Sequence, residues 1–126
     1  MTRPFATTAR FLASFMLASP ALATDWQTRT DDVLLSPAEL SQHLTGNTLI
    51  YYDQGRSAFY PDGRYVYTYG GGGTWLGQYV LGNDSTACVT FVTGVSRCDL
   101  YVMNDNALVV ITEDGLRFPI QSVARN

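Results

Sequence analysis

The chain offers few side chains for acid–base or metal chemistry. Its single histidine, His43, has no G-x-S-x-G nucleophile elbow to work with. A metal site usually gathers several histidines, cysteines or carboxylates, and one histidine beside two cysteines falls short of that set. We therefore predict no catalytic residue, no metal ligand and no cofactor, and a protein that is not an enzyme.

Aspartates are more numerous, but they stand where turn residues are expected. An aspartate in a turn bonds to the backbone of its own turn. A glycosidase requires two carboxylates that face each other across a cleft, and no pair in this sequence is set apart from the others. The turn interpretation is favoured for Asp53, Asp62, Asp84, Asp105 and Asp114.

Four consecutive glycines occupy residues 70–73. A nucleotide phosphate loop needs its glycines before a helix, followed by a lysine and a serine or threonine. The chain contains no lysine, and a strand-like segment follows the glycines. The favoured interpretation is a connection between two strands, and the alternative is a flexible lip beside a binding site.

Aromatic residues are the sequence feature that most clearly indicates a candidate binding site. Alternation places Tyr65, Tyr67 and Tyr69 on one side of a strand. Tyrosine has an apolar body and a polar tip, which suits a partly wet recognition surface, although strand tyrosines also simply pack a core. The predicted ligand site contains this stripe together with Trp75, Tyr79 and Arg64, and Arg64 and Arg97 are the candidates to hold an anionic group beside it.

Cys88 and Cys98 are the only cysteines. They stand symmetrically about Thr93, so a hairpin that turns near Thr93 and Gly94 places them opposite each other. Opposed strand residues have Cα atoms about 4.5–5.5 Å apart, a separation that a disulfide accepts. Redox or zinc sites need closer cysteine spacing or further ligands. The pattern therefore predicts a structural disulfide.

One short helix precedes these features. Ser36 can cap it, Pro37 fits its first turn, Glu39 completes a capping box, and Gly46 ends it. Residues 24–35, ahead of the main domain, are mostly polar and predict a flexible lead-in.

The sequence after the helix alternates with a period of two and is divided by short glycine, asparagine and aspartate turns. No second helical pattern exists from which parallel crossovers could be built. We predict an all-β domain over residues 36–126 with one short N-terminal helix, an antiparallel meander closing as a small barrel or sandwich. Its eight strands are placed at residues 48–52, 57–60, 64–69, 75–81, 88–92, 97–103, 108–112 and 116–123.

The N-terminal residues have the pattern of a targeting segment. Arg3 and Arg10 are followed by small residues in an A-x-A arrangement, and the apolar run at residues 11–17 is far shorter than the roughly 20 residues that span a bilayer. We predict that residues 1–23 are a cleaved signal peptide, that the mature protein is periplasmic or secreted, and that it does not insert into a membrane.

The charge argues against two classes of partner. The formal net charge is −3, and removal of Arg3 and Arg10 with the signal peptide would make it −5. The sequence has no basic run. Nucleic acid and anionic lipid both require clustered cations, so neither is an expected partner.

Several of these motifs resemble those of small exported bacterial proteins with a lipocalin-like barrel, a family without a characterised function. The resemblance extends from about Ser36 to Val123 and implies an eight-stranded barrel in the periplasm, with no catalytic residue. It rests on the helix, on residues 46–48, 59–64 and 77–80, and on Cys88, Cys98, Asp114 and Gly115.

Two functions are consistent with this set of predictions. The first is a non-catalytic binding protein for a small apolar or aromatic ligand, or for a protein partner, at the mouth of a barrel. The alternative is an inhibitor of a periplasmic enzyme of the protease or lysozyme type.

Overall fold

Strand pairing follows the order of the chain. In the computed structural model, which describes residues 25–126, each barrel strand pairs antiparallel with the next one. The predicted signal peptide and residue 24 lie outside the described residues. The elements are β1 Val33–Leu34, α1 Pro37–Leu44, β2 Asn47–Tyr51, β3 Arg56–Phe59, β4 Arg64–Thr68, β5 Thr74–Leu81, β6 Thr86–Phe91, β7 Ser96–Asn104, β8 Ala107–Thr112 and β9 Arg117–Arg125.

The last strand closes the sheet on the first. β9 pairs with β8 on one side and with β2 on the other, with Asn47 opposite Arg125, so β2 to β9 form a closed eight-stranded barrel. This confirms the predicted fold class. Of the two predicted forms, a barrel or a sandwich, the domain adopts the barrel. A further short strand, β1, was not predicted. It pairs with Val102 and Met103 of β7, beyond the point where β6 begins at Thr86.

The helix covers one end of the barrel, which we call the closed end. Its capping box is formed as predicted: the Ser36 hydroxyl accepts from the Glu39 amide at 3.2 Å, and the Glu39 carboxylate accepts from the Ser36 amide at 3.0 Å. Leu40 and Leu44 are fully buried, and the helix contacts β2 and β5. Both leucines therefore seal the core from this end.

Aromatic rings fill the barrel interior between its middle and the closed end. Phe59 is fully buried, and its ring centroid lies 5.1 Å from that of Tyr65, 5.0 Å from Tyr79 and 6.4 Å from Tyr101. All three pairs meet edge to face, a favourable geometry for aromatic rings. The interior is a packed core in this part of the barrel.

The disulfide is present as predicted. Cys88 and Cys98 face each other in the β6–β7 register, with Cα atoms 4.0 Å apart and their sulfurs bonded. Both are half-buried. Their strand neighbours Val89 and Asp99 are buried, so the sulfur bridge lies on the outer face of the wall.

Five hairpin turns share one hydrogen-bonding pattern. In each, the first residue's amide donates to the carbonyl of the fifth residue, and the fourth residue's amide donates to the carbonyl of the first. The fourth residue has a positive φ, the geometry of a tight turn followed by a bulge. Those fourth residues are Gln54, Gly63, Gly72, Gly94 and Gly115.

Residues 25–35, for which the polar composition predicted a flexible lead-in, run along the barrel, and besides the β1–β7 pairing and the buried Leu35, two side chains fix them to it. The Asp32 carboxylate accepts two hydrogen bonds from the Arg117 guanidinium, at 2.8 and 2.9 Å, and one from Asn104 at 2.8 Å. Trp26 packs on a second apolar cluster formed by the outward side chains Leu100, Val102, Val109 and Ile111. The hydrogen bonds from Arg117 are the main reason that the pKa of Asp32 lies well below its ordinary value.

Replacing Asp32 with asparagine should lower the free energy of unfolding by about 1.5–3 kcal/mol near neutral pH, the usual contribution of hydrogen bonds to a charged group. Because the pKa of Asp32 is lowered on folding, its contribution is complete above the unfolded value of about 4 and is lost as the pH falls towards the folded value. The stability difference should therefore narrow below about pH 4.

Urea unfolding at several pH values measures this difference. Asp31→Asn is the matched control, because Asp31 is exposed and should change stability little. A constant difference between Asp32→Asn and the parent protein from neutral to acid pH would contradict the ion-pair explanation.

Candidate functional site

The end of the barrel opposite α1, which we call the open end, is ringed by four of the five equivalent turns. Two adjoining cavities of about 140 and 270 Å³ open there, and Tyr67 and Arg97 line both. We call the pair the mouth site. The β9-side cavity is lined by Tyr51, Asp53, Tyr67, Arg97, Val110, Thr112 and Phe118, and the β5-side cavity by Tyr67, Tyr69, Trp75, Phe91, Val95 and Arg97.

The tyrosine stripe of β4 leads from the core to this opening. Tyr65 is 2% exposed and packs within the core, Tyr67 is half-buried, and Tyr69 is 50% exposed at the rim. The rings of Tyr67 and Tyr69 are perpendicular, with centroids 5.0 Å apart. Two of the three tyrosines thus line the mouth site, and the third supports it from below.

Trp75 lies beside Tyr67 on the wall of the β5-side cavity. It stands opposite Tyr67 in the β4–β5 register, and its ring lies 5.6 Å from Phe91 at an interplanar angle of 74°. Phe91 and Val95, on either side of the β6–β7 turn, were not among the predicted site residues. Their signal was present in the alternation of β6, where Phe91 shares a side with the buried Val89.

Arg97 lies where the two cavities meet and forms an ion pair beneath them. Its Nε is 3.3 Å from Oδ2 of Asp99, which is 4% exposed. Burial raises the pKa of Asp99, and the neighbouring Arg97 opposes that rise. The Arg97 side chain is 47% exposed.

A chain of hydroxyl groups lies under the β9-side cavity. The buried Ser57 hydroxyl lies 2.8 Å from the hydroxyls of both Tyr51 and Tyr65. Burial raises the pKa of both tyrosines, so these hydroxyls remain protonated near neutral pH. They can exchange hydrogen bonds with one another and with a bound polar group.

Two of the predicted site residues lie elsewhere. Tyr79 points into the barrel towards the closed end, where its hydroxyl donates to the Tyr60 carbonyl at 2.7 Å. Arg64 lies outside, 65% exposed, bonded to Asp62 at 2.7 Å and stacked over the Tyr60 ring at 4.8 Å. Neither lines the mouth site.

The glycine tract forms the β4–β5 turn at the rim of the mouth site. Gly72 and Gly73 have positive φ. A Cβ on Gly70 would lie 2.3 Å from the Asp53 carbonyl oxygen of the neighbouring β2–β3 turn, whereas one on Gly71 would meet nothing within 4 Å. The tract is therefore a strand connection that also lets two rim turns approach each other closely.

Gly70→Ala and Gly71→Ala should change the free energy of unfolding in opposite directions. Gly70→Ala forces the two turns apart and should cost about 1–3 kcal/mol of unfolding free energy. Gly71 has a φ that alanine tolerates and open space around it, so alanine there should stabilise by about 0.4–1 kcal/mol through the unfolded chain. Parallel urea titrations measure both, and equal effects at the two positions would contradict the close approach of the turns.

Within residues 25–126, no group of three or more histidine, cysteine, aspartate or glutamate side chains is placed to hold a metal ion. In the same part of the chain, no helix has the length and apolar character needed to cross a membrane. Comparisons with family models, with curated proteins and with solved structures found no match.

Proposed function

We propose that this protein is an exported, non-catalytic binding protein that takes a small aromatic ligand at the mouth site. The observation that carries the proposal is the pair of cavities at the open end, walled by Tyr67, Tyr69, Trp75 and Phe91 and joined at Arg97. Binding sites for small molecules are typically concave and apolar, with a few polar groups that fix orientation.

The ligand is small because the barrel beneath the site is filled. Tyr65 and Tyr101 are buried and pack around Phe59, so no deep calyx is available for a long-chain lipid. Drug-sized ligands occupy pockets of about 300–1,000 Å³. The β5-side cavity of about 270 Å³ instead suits a compound of one or two rings.

Export and the lipocalin-like family belong to the same proposal. The N-terminal pattern of residues 1–23 is typical of a signal peptide, and a disulfide persists in an oxidising compartment such as the periplasm. The closed eight-stranded barrel agrees with the architecture that the resemblance implies.

Binding is favoured over catalysis by what the polar groups already do. Asp99 is paired with Arg97. Asp53 accepts a hydrogen bond from the Gly55 amide of its own turn at 2.8 Å. General acid–base catalysis needs a titratable group free to reach a substrate with a pKa near the working pH, and these carboxylates serve the structure.

A second candidate function, inhibition of a secreted enzyme, is favoured by the hairpin at the tip of β6 and β7. Val92 is 79% exposed and Val95 57% exposed on a tight turn, and the Cys88–Cys98 disulfide braces the two strands below it. A braced turn that carries exposed apolar side chains is suited to entering the active-site cleft of an enzyme. Preorganisation of that kind reduces the cost of binding.

Tryptophan fluorescence tests the first proposal directly. A Trp26→Phe variant leaves Trp75, at the mouth site, as the only tryptophan of residues 25–126. Saturable quenching by one- or two-ring aromatic compounds is expected. The Trp75→Phe variant, which reports from the outer wall, should show no such response, and a flat response of Trp75 to a broad aromatic panel would contradict the proposal.

Enzyme assays test the second candidate. Equimolar protein is added to a lysozyme and to secreted proteases, and their rates are measured with and without it. Inhibition that Val92→Ser weakens, with Val123→Ser on β9 as the control, would support an inhibitor. Unchanged rates across these enzymes would contradict the inhibitor proposal.

A further inference from the structure

We infer that the ligand of the β5-side cavity is an aromatic carboxylate, whose anionic group is held by Arg97 while its ring lies among Tyr67, Tyr69, Trp75 and Phe91. This inference rests on the proposed function and specifies its ligand class. It follows from the distribution of charge at the open end, from the free donors of Arg97, and from the arrangement of the rings.

The charged residues at the open end are unevenly distributed among its cavities. Asp53 lines the β9-side cavity, and Asp99, Glu113 and Asp114 line a further opening beside the β8–β9 turn. Arg97 lines all three. Among residues 25–126 it is the only charged side chain that lines the β5-side cavity, so an anion is favoured there and a cation is opposed.

The guanidinium of Arg97 has hydrogen-bond donors that are available to a ligand. Its Nε faces Asp99, and this is the one ion pair that Arg97 makes within residues 25–126. No side chain or carbonyl in that part of the chain accepts a hydrogen bond from its two terminal amino groups. A guanidinium presents a flat set of donors that fits a carboxylate, so the two terminal amino groups of Arg97 are suited to bind one.

The rings beside Arg97 form two edge-to-face pairs. Tyr67 meets Tyr69 at 90°, and Trp75 meets Phe91 at 74°. Such pairs expose both faces and edges, against which a flat ring can stack or meet edge to face. The cavity thus joins an aromatic wall to one anion-binding group.

Two other ligand classes fit less well. Aromatic faces also attract cations, but a cation in this cavity would face Arg97. A neutral aromatic compound would cover the guanidinium while offering it at most a neutral acceptor, which bonds a charged donor more weakly than a carboxylate does. An aromatic carboxylate both packs its ring against the aromatic side chains and accepts hydrogen bonds from Arg97.

Three probes with the same ring test the inference: 4-hydroxyphenylacetate, its neutral amide, and tyramine. They are titrated into the Trp26→Phe protein and followed by Trp75 fluorescence. The carboxylate should bind about 10–100-fold more tightly than the amide, the range expected for hydrogen bonds to a charged partner. Tyramine should bind most weakly of the three. Added salt should lower the affinity of the carboxylate probe.

Arginine variants assign the effect to one side chain. Arg97→Gln should remove the preference for the carboxylate over the amide, and Arg97→Lys should retain part of it because the charge stays but the flat donor edge is lost. Arg64→Gln, an exposed arginine remote from the mouth site, should leave the preference unchanged. Urea unfolding of each variant establishes that the barrel remains folded.

The outcomes distinguish failure of the carboxylate inference from failure of the proposed aromatic-binding function. Equal affinity for carboxylate and amide, or tighter binding of tyramine, would overturn the inference while an aromatic site remains. A preference that survives in Arg97→Gln would also overturn it. If none of these probes and no other aromatic compound binds, the proposed function itself fails.

Discussion

Phe59→Ala should lower the free energy of unfolding by about 3–5 kcal/mol, the usual cost of deleting a buried aromatic ring. Phe59 has no exposed surface and contacts three tyrosine rings, so its removal leaves a cavity with little freedom to collapse. Small domains are stable by only about 5–15 kcal/mol. The variant should therefore unfold at a much lower urea concentration, as measured by fluorescence and near-ultraviolet circular dichroism.

Phe118→Ala is the matched control for that experiment. Phe118 is 39% exposed at the mouth site, so its deletion removes less buried surface and leaves a space that water can enter. Its cost should be well below that of Phe59→Ala. Equal losses for the two phenylalanines would contradict a core organised around Phe59.

Removal of the disulfide should give the second largest effect. Replacing Cys88 and Cys98 together by serine opens a loop whose ends are 10 residues apart in sequence. On the chain-entropy model this costs about 2.5–3 kcal/mol of unfolding free energy. Phe91 and Val95 lie on the same hairpin, so aromatic ligands should also bind more weakly as that wall loosens.

Chemical reduction provides an independent comparison. Unfolding of the parent protein in excess reductant should match that of the double serine variant, because both lack the same cross-link. A midpoint that neither treatment moves would show that the bridge adds nothing to the pairing of β6 with β7.

The barrel could be predicted because its local signals agree with each other. Alternation with a period of two, tight turns and the symmetric placement of Cys88 and Cys98 all indicate consecutive antiparallel strands, and the structure confirms them. β1 was not predictable in this way. Val33 and Leu34 are two residues in a polar segment, and they form a strand only because β7 extends past β6 and offers them free backbone groups.

The site could be predicted only in part. Alternation shows which face of the sheet a side chain lies on, but not how far along the barrel axis it lies. Tyr65 and Tyr69 share a side, yet one is buried and the other lies at the rim. Tyr79 is four residues from Trp75 along β5, about 13 Å at the usual strand rise, and that distance moves it from the mouth site to the closed end. Arg64 directly precedes Tyr65, so it must point out where Tyr65 points in.

The register of β2 with β9 has a consequence for the kinetics of folding. Within the barrel it is the one strand pair that joins the two ends of the domain, while all the others join neighbours in sequence. The local hairpins can form early, because loop-closure entropy grows with the length of chain to be closed. Ring closure then sets the rate with the hairpins already formed, so substitutions confined to β5 and β6 should mainly slow refolding. Substitutions that weaken the pairing of Leu49 with Val123 should divide their effect between slower refolding and faster unfolding.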